Sequence, residues 1–348
     1  MPDRVRHDSL TEVLELTQAL ARAGLQASAT PQDLARALRA AGAQAVLVVG
    51  ETTWLDTPHA SGFVATQAAP HLDTVAQRWR EFLVQGFVAA DAALLALWTG
   101  EGPLPVFTWG ERKVVPVIGT LPDLGLYAIV DTVPRLRQVL QAGIRTVQLR
   151  IKEPRDADAS WFAALRSSLR EGAAASRDAT ATLVVNDHWR IAADVGAPAV
   201  HLGQEDLGRM TVQELTELAA SRMALGVSSH AVWELARART LAPAYIACGP
   251  VWPTTTKDMP WRPQGLDNLG WWCRNAQHPV AAIGGILSAE QVREAARAGA
   301  NSVCVVRGLG DDPRQVVPAL QDAFAQGRAE HDAGTIPRLP HPSLEPTA

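Results

Sequence analysis

The feature of this chain that most restricts its fold is a regular alternation, from Leu126 onward, between short apolar runs and longer amphipathic or Ala-rich segments. The runs lack the alternating polar face of a half-exposed strand, which is typical of parallel strands buried on both faces. Gly143 and Gly299 stand where intervening helices would end. The runs occupy residues 126–131, 146–151, 182–187, 199–203, 223–229, 245–251, 280–286 and 302–308.

Eight strand–helix units within residues 124–327 predict an α/β fold of the (β/α)₈ TIM-barrel type. The alternative is an open doubly wound sheet, which does not require eight units and favours a glycine-rich turn after the first strand. The residues at that turn are Asp131-Thr132-Val133-Pro134 instead. We therefore expect a closed barrel.

The remaining residues are organised differently from the predicted barrel. Residues 1–112 predict a smaller α/β segment, with a buried strand at 43–50 and helices at 10–23, 31–41, 75–83 and 89–97. Residues 113–123 are expected to form a linker. The proline-rich residues 328–348 are expected to be a disordered tail.

Composition excludes several classes of protein. No charge-free apolar stretch reaches the length of a membrane span, and the N-terminus lacks the apolar core of a secretion signal. A net charge of −4 gives no basic surface for nucleic acid. Three cysteines without metal-binding spacing, Cys248, Cys273 and Cys304, indicate a reduced, cytoplasmic protein.

Cationic side chains gather where the second apolar run ends. Gln148, Arg150 and Lys152 alternate, so in a strand they would share one face. Two cations that converge inside a barrel require an anion, such as a carboxylate or a phosphate ligand. The alternative is an ordinary strand end with solvated charges.

Lysine is rare in this chain, since of 32 Lys plus Arg only Lys113, Lys152 and Lys257 are lysine. A lysine in so arginine-rich a sequence indicates a need for a compact point charge, although chance is the alternative. Lys257 ends the segment GPVWPTTTK after the sixth run, where Thr254 and Thr256 add hydroxyls. Such a loop can wrap a phosphate.

Two carboxylates follow neighbouring runs near these cations. Asp187 follows Asn186 at the end of the third run, and Asp206 lies just beyond the fourth. Carboxylates beside a diphosphate-sized group of cations favour Mg²⁺, which binds one or two carboxylates together with phosphate oxygens. Helix N-capping is the alternative for each aspartate considered alone.

The later runs end in residues suited to a second anion. Ser228 closes the fifth run, where helix capping is again the alternative. Gly284 and Gly285 end the seventh run, and glycine lets a backbone N–H approach a ligand. The eighth run ends at Val306-Arg307, and loops after the seventh and eighth strands commonly bind phosphate in this fold.

With these residues in view, the chain resembles the thiamine-phosphate synthase family. The resemblance rests on QLRIK, VNDHWRIAADVGAPAVHLGQEDL, GVSSH, GPVWPTTTKDMPWRPQGL and AIGGI, which occur in the family's order and spacing. It implies the joining of an aminopyrimidine diphosphate to a thiazole (carboxy)ethyl phosphate, giving thiamine phosphate and pyrophosphate. It also implies a dissociative substitution that requires Mg²⁺.

The resemblance also implies a role for individual residues. Ser228, Lys152 and Arg150 would act on the departing pyrophosphate, and Asp187 and Asp206 would bind Mg²⁺. The pyrimidine diphosphate would be held by Gln148, Arg150, Lys152, Asn186, Ser228 and Lys257. The thiazole phosphate would be held by Thr254, Thr256, Gly285, Val306 and Arg307.

One position departs from the family's pattern. The family commonly has Ser-Ala-Ile after the eighth strand, whereas this chain has Arg307-Gly308-Leu309. Either the side chain of Arg307 or its backbone N–H would then bind the thiazole phosphate.

The N-terminal segment resembles the C-terminal half of a hydroxymethylpyrimidine phosphate kinase, which has a ribokinase-like fold. The resemblance rests on AGAQAVLVVGETTWLD and REFLVQGFVAADAALLALW, but PHASGFVATQ replaces that family's glycine-rich loop with its cysteine. The resemblance therefore implies a truncated remnant without phosphotransfer activity. It would pack on the barrel or mediate association into a homo-oligomer.

Two other functions compete with the synthase. A thiazole phosphate isomerase of the same fold would not need the diphosphate-binding cations, and a non-catalytic thiamine-phosphate-binding regulatory module would tolerate loss of the carboxylates. The set of Gln148, Arg150 and Lys152 together with Asp187 and Asp206 speaks against the isomerase, and the presence of the two carboxylates speaks against the module. The expected partners are small phosphorylated substrates, with neither nucleic acid nor membrane.

Overall fold

The computed structural model describes residues 11–26, 28–67, 71–254, 260–335, 338 and 340–344. Numbered along the chain, the strands are β1 (Thr11–Glu15), β2 (Ala45–Val49), β3 (Thr53–Asp56), β4 (Ser61–Ala65), β5 (Val106–Phe107), β6 (Gly125–Val130), β7 (Thr146–Leu149), β8 (Thr182–Asn186), β9 (Ala199–Leu202), β10 (Ala224–Ser229), β11 (Tyr245–Cys248), β12 (Val280–Ala282) and β13 (Ser302–Val305).

The helices, numbered in the same way, are α1 (Leu16–Ala23), α2 (Pro31–Ala40), α3 (Leu72–Val84), α4 (Ala89–Leu97), α5 (Val133–Gln141), α6 (Ala159–Asp178), α7 (Trp189–Asp194), α8 (Gln204–Arg209), α9 (Val212–Ala220), α10 (Val232–Thr240), α11 (Gly265–Asn275), α12 (Ala289–Arg297) and α13 (Pro313–Glu330). A short 3₁₀ helix spans Arg307–Leu309. Two compact units result: an N-terminal unit with the described residues of 1–114, 231–240 and 342–348, and a barrel unit with those of 115–230 and 241–341.

The N-terminal unit is built on a mixed sheet with the strand order β1-β2-β3-β4-β5. The β1–β2 pair is parallel, and the later neighbours are antiparallel. Strand β2 is buried over its first four residues, which is why its apolar run was recognisable in the sequence. Leu34 and Leu38 of α2 pack against Val46, Val48 and Trp54 to form the core beside this sheet.

One predicted element of this unit is wrong in part. Residues 10–23 were expected to form a single helix, but Thr11–Glu15 form strand β1 and only Leu16–Ala23 are helical. Every residue of β1 pairs with β2, from Thr11 with Ala45 to Glu15 with Val49. This pairing outweighs the local helical periodicity, since tertiary contacts routinely override propensity.

Helix α10 belongs to the N-terminal unit, where it packs against α4 and β5. The carboxylate of Asp91, buried in α4, accepts the backbone N–H of Trp233 at 2.8 Å. Arg237 donates to the carbonyls of Thr108 (3.0 Å) and Ser61 (2.6 Å). Its guanidinium also lies over the ring of Trp233, 5.1 Å from the centroid. Asp91 of α4 and Arg237 of α10 therefore both have partners within this unit.

The barrel unit confirms the predicted TIM barrel. Strands β6 to β13 pair in parallel around a closed sheet, and β13 returns to pair with β6. The side chains inside the barrel form a core that mixes large rings with small residues, including Tyr127, Tyr245, Ala199, Ala224 and Ala281. Closure brings the carboxyl ends of all eight strands to one rim, so residues distant in sequence can share a site.

Capping side chains mark where several barrel helices begin. Asp158 accepts the N–H of Trp161 at 2.9 Å at the start of α6, and Thr211 accepts that of Glu214 at 3.2 Å at the start of α9. These caps fix the turns between strands and helices. Within the described residues, no helix is both long enough and apolar enough to cross a membrane.

The segments that flank the barrel differ from the sequence prediction. The linker predicted at 113–123 lacks helix and strand, but Val117 is buried and its N–H donates to the carbonyl of Leu241 at 2.7 Å. The tail predicted to be disordered over 328–348 begins inside α13, which ends at Glu330. Farther along it, the N–H of His341 donates to Asn268 Oδ1 at 2.8 Å. Asn268 is fully buried, so the tail satisfies a polar group that the barrel unit buries.

Candidate active site

A cavity of about 250 Å³ opens where the barrel strands end. We call it the barrel cavity. Most of the site residues predicted from the sequence line it: Gln148, Arg150, Asn186, Asp187, Asp206, Ser228, Thr254, Gly285, Val306 and Arg307. Thr256 and Lys257, predicted for the same site, lie outside the described residues.

The cationic side of the barrel cavity is formed by the end of β7. Gln148 is buried in the strand, and Arg150 follows it, with its N–H bonded to the carbonyl of Val130 at 2.7 Å. Lys152 is exposed and is not among the residues that line the cavity. Strand β7 ends at Leu149, so strand alternation alone does not determine where the side chains of Arg150 and Lys152 point. A role for Lys152 in the site therefore stays a prediction.

The carboxylates stand at the ends of the next two strands. Asp187 follows Asn186, the last residue of β8, and its N–H donates to the carbonyl of His201 at 3.0 Å. Its φ of 64° is left-handed, a conformation that aspartate tolerates better than most residues. Asp206 lies in the first turn of α8, where its Oδ2 accepts the N–H of Gly203 at 3.3 Å. Asp206 can therefore cap α8 and line the cavity at the same time.

The electrostatics of this carboxylate pair suit a divalent cation. Burial raises the pKa of Asp187, and the negative charge of Asp206 raises it further, while His188 and Arg150 oppose the shift. A cation between two repelling carboxylates would offset both effects. The described residues contain no group of three or more His, Cys, Asp or Glu side chains placed to hold a metal. That donor set fits Mg²⁺, which takes few protein carboxylates and completes its shell with phosphate oxygens and water.

The opposite wall of the cavity is largely backbone. Gly284 and Gly285 have φ values of 95° and 71°, which favour glycine. A Cβ on Gly284 would lie 2.6 Å from Cα of Pro250, and one on Gly285 would lie 2.6 Å from the carbonyl oxygen of Trp252. Only glycine fits either position. Thr254, Val306 and Arg307 line the same cavity, as the predicted second anion site requires.

Among the residues of the cavity wall that were not predicted are Tyr127, His201 and Tyr245. Tyr127 and Tyr245 are the only tyrosines in the chain, and their hydroxyls lie 2.9 Å apart. His201 interrupts the apolar strand β9, and its two ring nitrogens lie 2.9 Å from the Tyr245 hydroxyl and 2.9 Å from Ser228 Oγ. The signals available in the sequence were the rarity of tyrosine and a histidine within an apolar run.

Burial controls the ionisation of this group. It lowers the pKa of His201 to about 4, with smaller contributions from His230 and Arg150. It also raises the pKa of both Tyr127 and Tyr245. All three side chains are therefore neutral near pH 7 and interact as hydrogen-bonding groups.

Comparisons with known proteins agree with this geometry. A family model described as thiamine monophosphate synthase matches residues 126–309. The thiamine-phosphate synthase of Neisseria meningitidis serogroup B is 41% identical over 201 residues, which are 57% of this chain and 93% of that protein. The thiamine-phosphate synthase of Photorhabdus laumondii is 39% identical over 209 residues, which are 59% of this chain and 92% of that protein.

Solved structures give the same result. The structure of a thiamine phosphate pyrophosphorylase from Pyrococcus furiosus matches with a TM-score of 0.51 and 26% identity. The match covers 59% of this chain and 97% of the other. The residues matched by the family model, 126–309, lie in the barrel that carries the cavity. The chain therefore belongs to the thiamine monophosphate synthase family.

Proposed function

We propose that the barrel cavity joins an aminopyrimidine diphosphate to a thiazole (carboxy)ethyl phosphate, giving thiamine phosphate and pyrophosphate. Family membership makes the chain an enzyme of thiamine biosynthesis. The observation that carries this reaction is that one cavity is lined on one side by Arg150 and two aspartates and on the other by Gly285 and Arg307. Two phosphorylated substrates need two anion sites within reach of each other.

The chemistry assigned to the chain is electrostatic. The aminopyrimidine ring stabilises positive charge on its methylene carbon, so the diphosphate can leave before the thiazole nitrogen attacks. Arg150 and the hydroxyl of Ser228 would stabilise charge on the departing diphosphate. Mg²⁺ held by Asp187 and Asp206 would supply further positive charge there when bound. The attacking nitrogen carries no proton, so no general base is needed.

The second anion site would act by positioning. Thr254, the backbone at Gly285 and the backbone or side chain of Arg307 would hold the thiazole phosphate, which places the thiazole nitrogen facing the methylene carbon. Thr256 and Lys257 would add a hydroxyl and a charge to the loop that follows Thr254. Lys152 would reach the diphosphate only by moving from its exposed position.

The N-terminal unit is assigned no phosphotransfer activity. We infer a truncated ribokinase-like remnant, because its single parallel strand pair and its PHASGFVATQ segment offer no glycine-rich anion loop. Phosphorylation of a pyrimidine phosphate by the full chain would contradict this.

The free thiols Cys248, Cys273 and Cys304 agree with a reducing, cytoplasmic setting.

Product formation from the two phosphorylated precursors, with Mg²⁺ and with a chelator in its place, tests the reaction. We expect thiamine phosphate and pyrophosphate in equal amounts, and only with Mg²⁺. Rearrangement of the thiazole phosphate alone would favour the isomerase. Binding of thiamine phosphate without turnover would favour a regulatory module.

A further inference from the structure

A continuous chain of hydrogen bonds runs along the barrel interior from Gln148 to Ser228. The Nε2 of Gln148 donates to the Tyr127 hydroxyl at 2.9 Å, and that hydroxyl lies 2.9 Å from the hydroxyl of Tyr245. The Tyr245 hydroxyl lies 2.9 Å from His201 Nδ1, and His201 Nε2 lies 2.9 Å from Ser228 Oγ. Four strands contribute to it before the fifth, β10, supplies Ser228. We call it the polar chain.

One member of the polar chain has a fixed direction. The Nε2 of Gln148 can only donate, whereas a hydroxyl can donate or accept and a neutral imidazole has two tautomers. Tyr127 is fully buried and accepts the amide proton, so we assign its own proton to Tyr245, the other hydroxyl within hydrogen-bond distance. With that assignment Tyr245 donates to Nδ1 of His201, which then carries a lone pair.

The direction continues to the cavity. A neutral imidazole with a lone pair on Nδ1 carries its proton on Nε2, so His201 donates to Ser228 Oγ. The proton of Ser228 then points away from His201, and Ser228 lines the barrel cavity. In this arrangement one of the two lone pairs of Ser228 Oγ is engaged by His201, and its proton is available to a ligand in the cavity.

We propose that Tyr127, Tyr245 and His201 are positioning residues that hold the Ser228 hydroxyl as a hydrogen-bond donor to the departing diphosphate. The inference deepens the proposed function and rests on it. Hydrogen-bond donors stabilise an anion and lone pairs repel it. A Ser228 hydroxyl that turned its lone pairs toward the diphosphate would therefore stabilise the diphosphate less. Fixing the proton in advance removes the reorganisation that water would require.

Burial and ring packing keep the direction of the hydrogen bonds in the polar chain fixed. Tyr127 and Tyr245 are buried to 0% and 1% exposure, so solvent does not compete for their hydroxyls. The ring of Tyr245 stacks on that of His201 at an interplanar angle of 22° and meets that of Tyr127 edge-on at 83°. Gly226 makes room for it, since a Cβ there would lie 2.2 Å from Cζ of Tyr245.

Kinetics of single and double variants test whether the polar chain acts through Ser228. We expect Ser228→Ala to lower kcat roughly 100-fold, as removal of an oxyanion donor does. Tyr245→Phe should lower kcat roughly 10-fold with little change in KM, because one hydrogen bond of the chain is lost. Added to Ser228→Ala, Tyr245→Phe should cost less than about twofold more, since coupled residues are non-additive.

Matched variants separate direction from packing. Glutamine in His201→Gln can still accept from Tyr245 and donate to Ser228, so it should retain more activity than His201→Leu. Ser229 is the control for Ser228, because its Oγ donates to the carbonyl of Ala247 and it does not line the cavity. Ser229→Ala should lower thermal stability while kcat stays within about twofold of wild type.

The ring ¹⁵N shifts of His201, assigned by comparison with His201→Gln, test the tautomer directly in the full chain. We expect an Nε2–H resonance in wild type and a mixture with Nδ1–H in Tyr245→Phe. An Nδ1–H tautomer in wild type, or full additivity of Tyr245→Phe with Ser228→Ala, would overturn the inference. Absence of turnover in wild type would instead count against the proposed function, because the tautomer is observed without substrate.

Discussion

Ionisable side chains of the barrel unit and of the N-terminal unit face different surroundings. In the N-terminal unit, the bonds of Asp91 and Arg237 are made to backbone N–H and carbonyl groups. In the barrel unit, Arg150 and Asp187 border a cavity. The polar groups of Asp91 and Arg237 are paired with the protein's own backbone, whereas charges that border the cavity are available to a ligand.

Helix α10 follows β10 in the chain, and β10 supplies Ser228 of the barrel unit. The helix itself belongs to the N-terminal unit. The carboxylate of Asp91 satisfies the N-terminal end of α10, a place usually taken by a residue just before the helix. Asp91 therefore caps α10 within the N-terminal unit.

The largest effect is expected for a change in the cavity that leaves the fold intact. Asp187→Asn should lower the rate of thiamine phosphate formation roughly 100- to 1000-fold and raise the Mg²⁺ concentration needed. Its thermal midpoint should not fall, because the change removes repulsion from Asp206. Asp194→Asn is the control, since Asp194 pairs with Arg166 on the surface. Equal activity of the two variants would place the site elsewhere.

In the N-terminal unit, the expected effect is on the free energy of unfolding rather than on activity. Burial raises the pKa of Asp91 from 3.8 to about 7, so its favourable contribution is complete below pH 3.8 and is lost as pH rises through 7. The loss amounts to at most about 4 kcal/mol. Asp91→Asn keeps an acceptor for Trp233 and should remove this pH dependence. Urea unfolding from pH 4 to pH 8 measures it; an unchanged slope in the variant would contradict the assignment.

In the barrel unit, the free energy of unfolding should change with pH in the opposite direction. Burial lowers the pKa of His201 from 6.5 to about 4, so its contribution is present above pH 6.5 and is lost as pH falls toward 4. The loss is on the order of 3 kcal/mol. His201→Gln should abolish it, which the same unfolding series can measure. If His201→Gln and Asp91→Asn shifted stability in the same pH direction, the contrast between the units would fail.

The smallest effect on catalysis is expected for Lys152, which was predicted from the sequence to lie in the site. Lys152→Ala should lower kcat/KM by less than about threefold, because an exposed charge near a ligand is screened by solvent. Arg150→Ala should lower it far more. A similar loss in both variants would show that Lys152 moves into the cavity when substrate binds.

Much of the barrel was predictable because its strands are buried on both faces and appear as apolar runs. Arg150, Asp187 and Asp206 line one cavity, as expected because strand ends in a barrel share one rim, and their roles stay predictions. Lys152 is exposed outside the cavity wall, a difference that alternation along a strand ending at Leu149 could not reveal. Strand β1 was missed because it is recognisable only through its pairing with β2.

The polar chain could not be predicted from the pattern. Tyr127, His201 and Tyr245 stand in apolar runs, where a polar ring is usually a satisfied core residue. They are satisfied core residues, but their partners form a sequence of bonds that ends at Ser228. Such a sequence depends on which strands are neighbours, and hence on the closed barrel.

The most direct test of the account is calorimetric titration of pyrophosphate into the full chain, with and without Mg²⁺, for wild type and Asp187→Asn. We expect tight binding by wild type only when Mg²⁺ is present, and weak binding by Asp187→Asn in both conditions. Mg²⁺-independent binding of equal strength by both proteins would contradict a carboxylate-bound cation at the diphosphate.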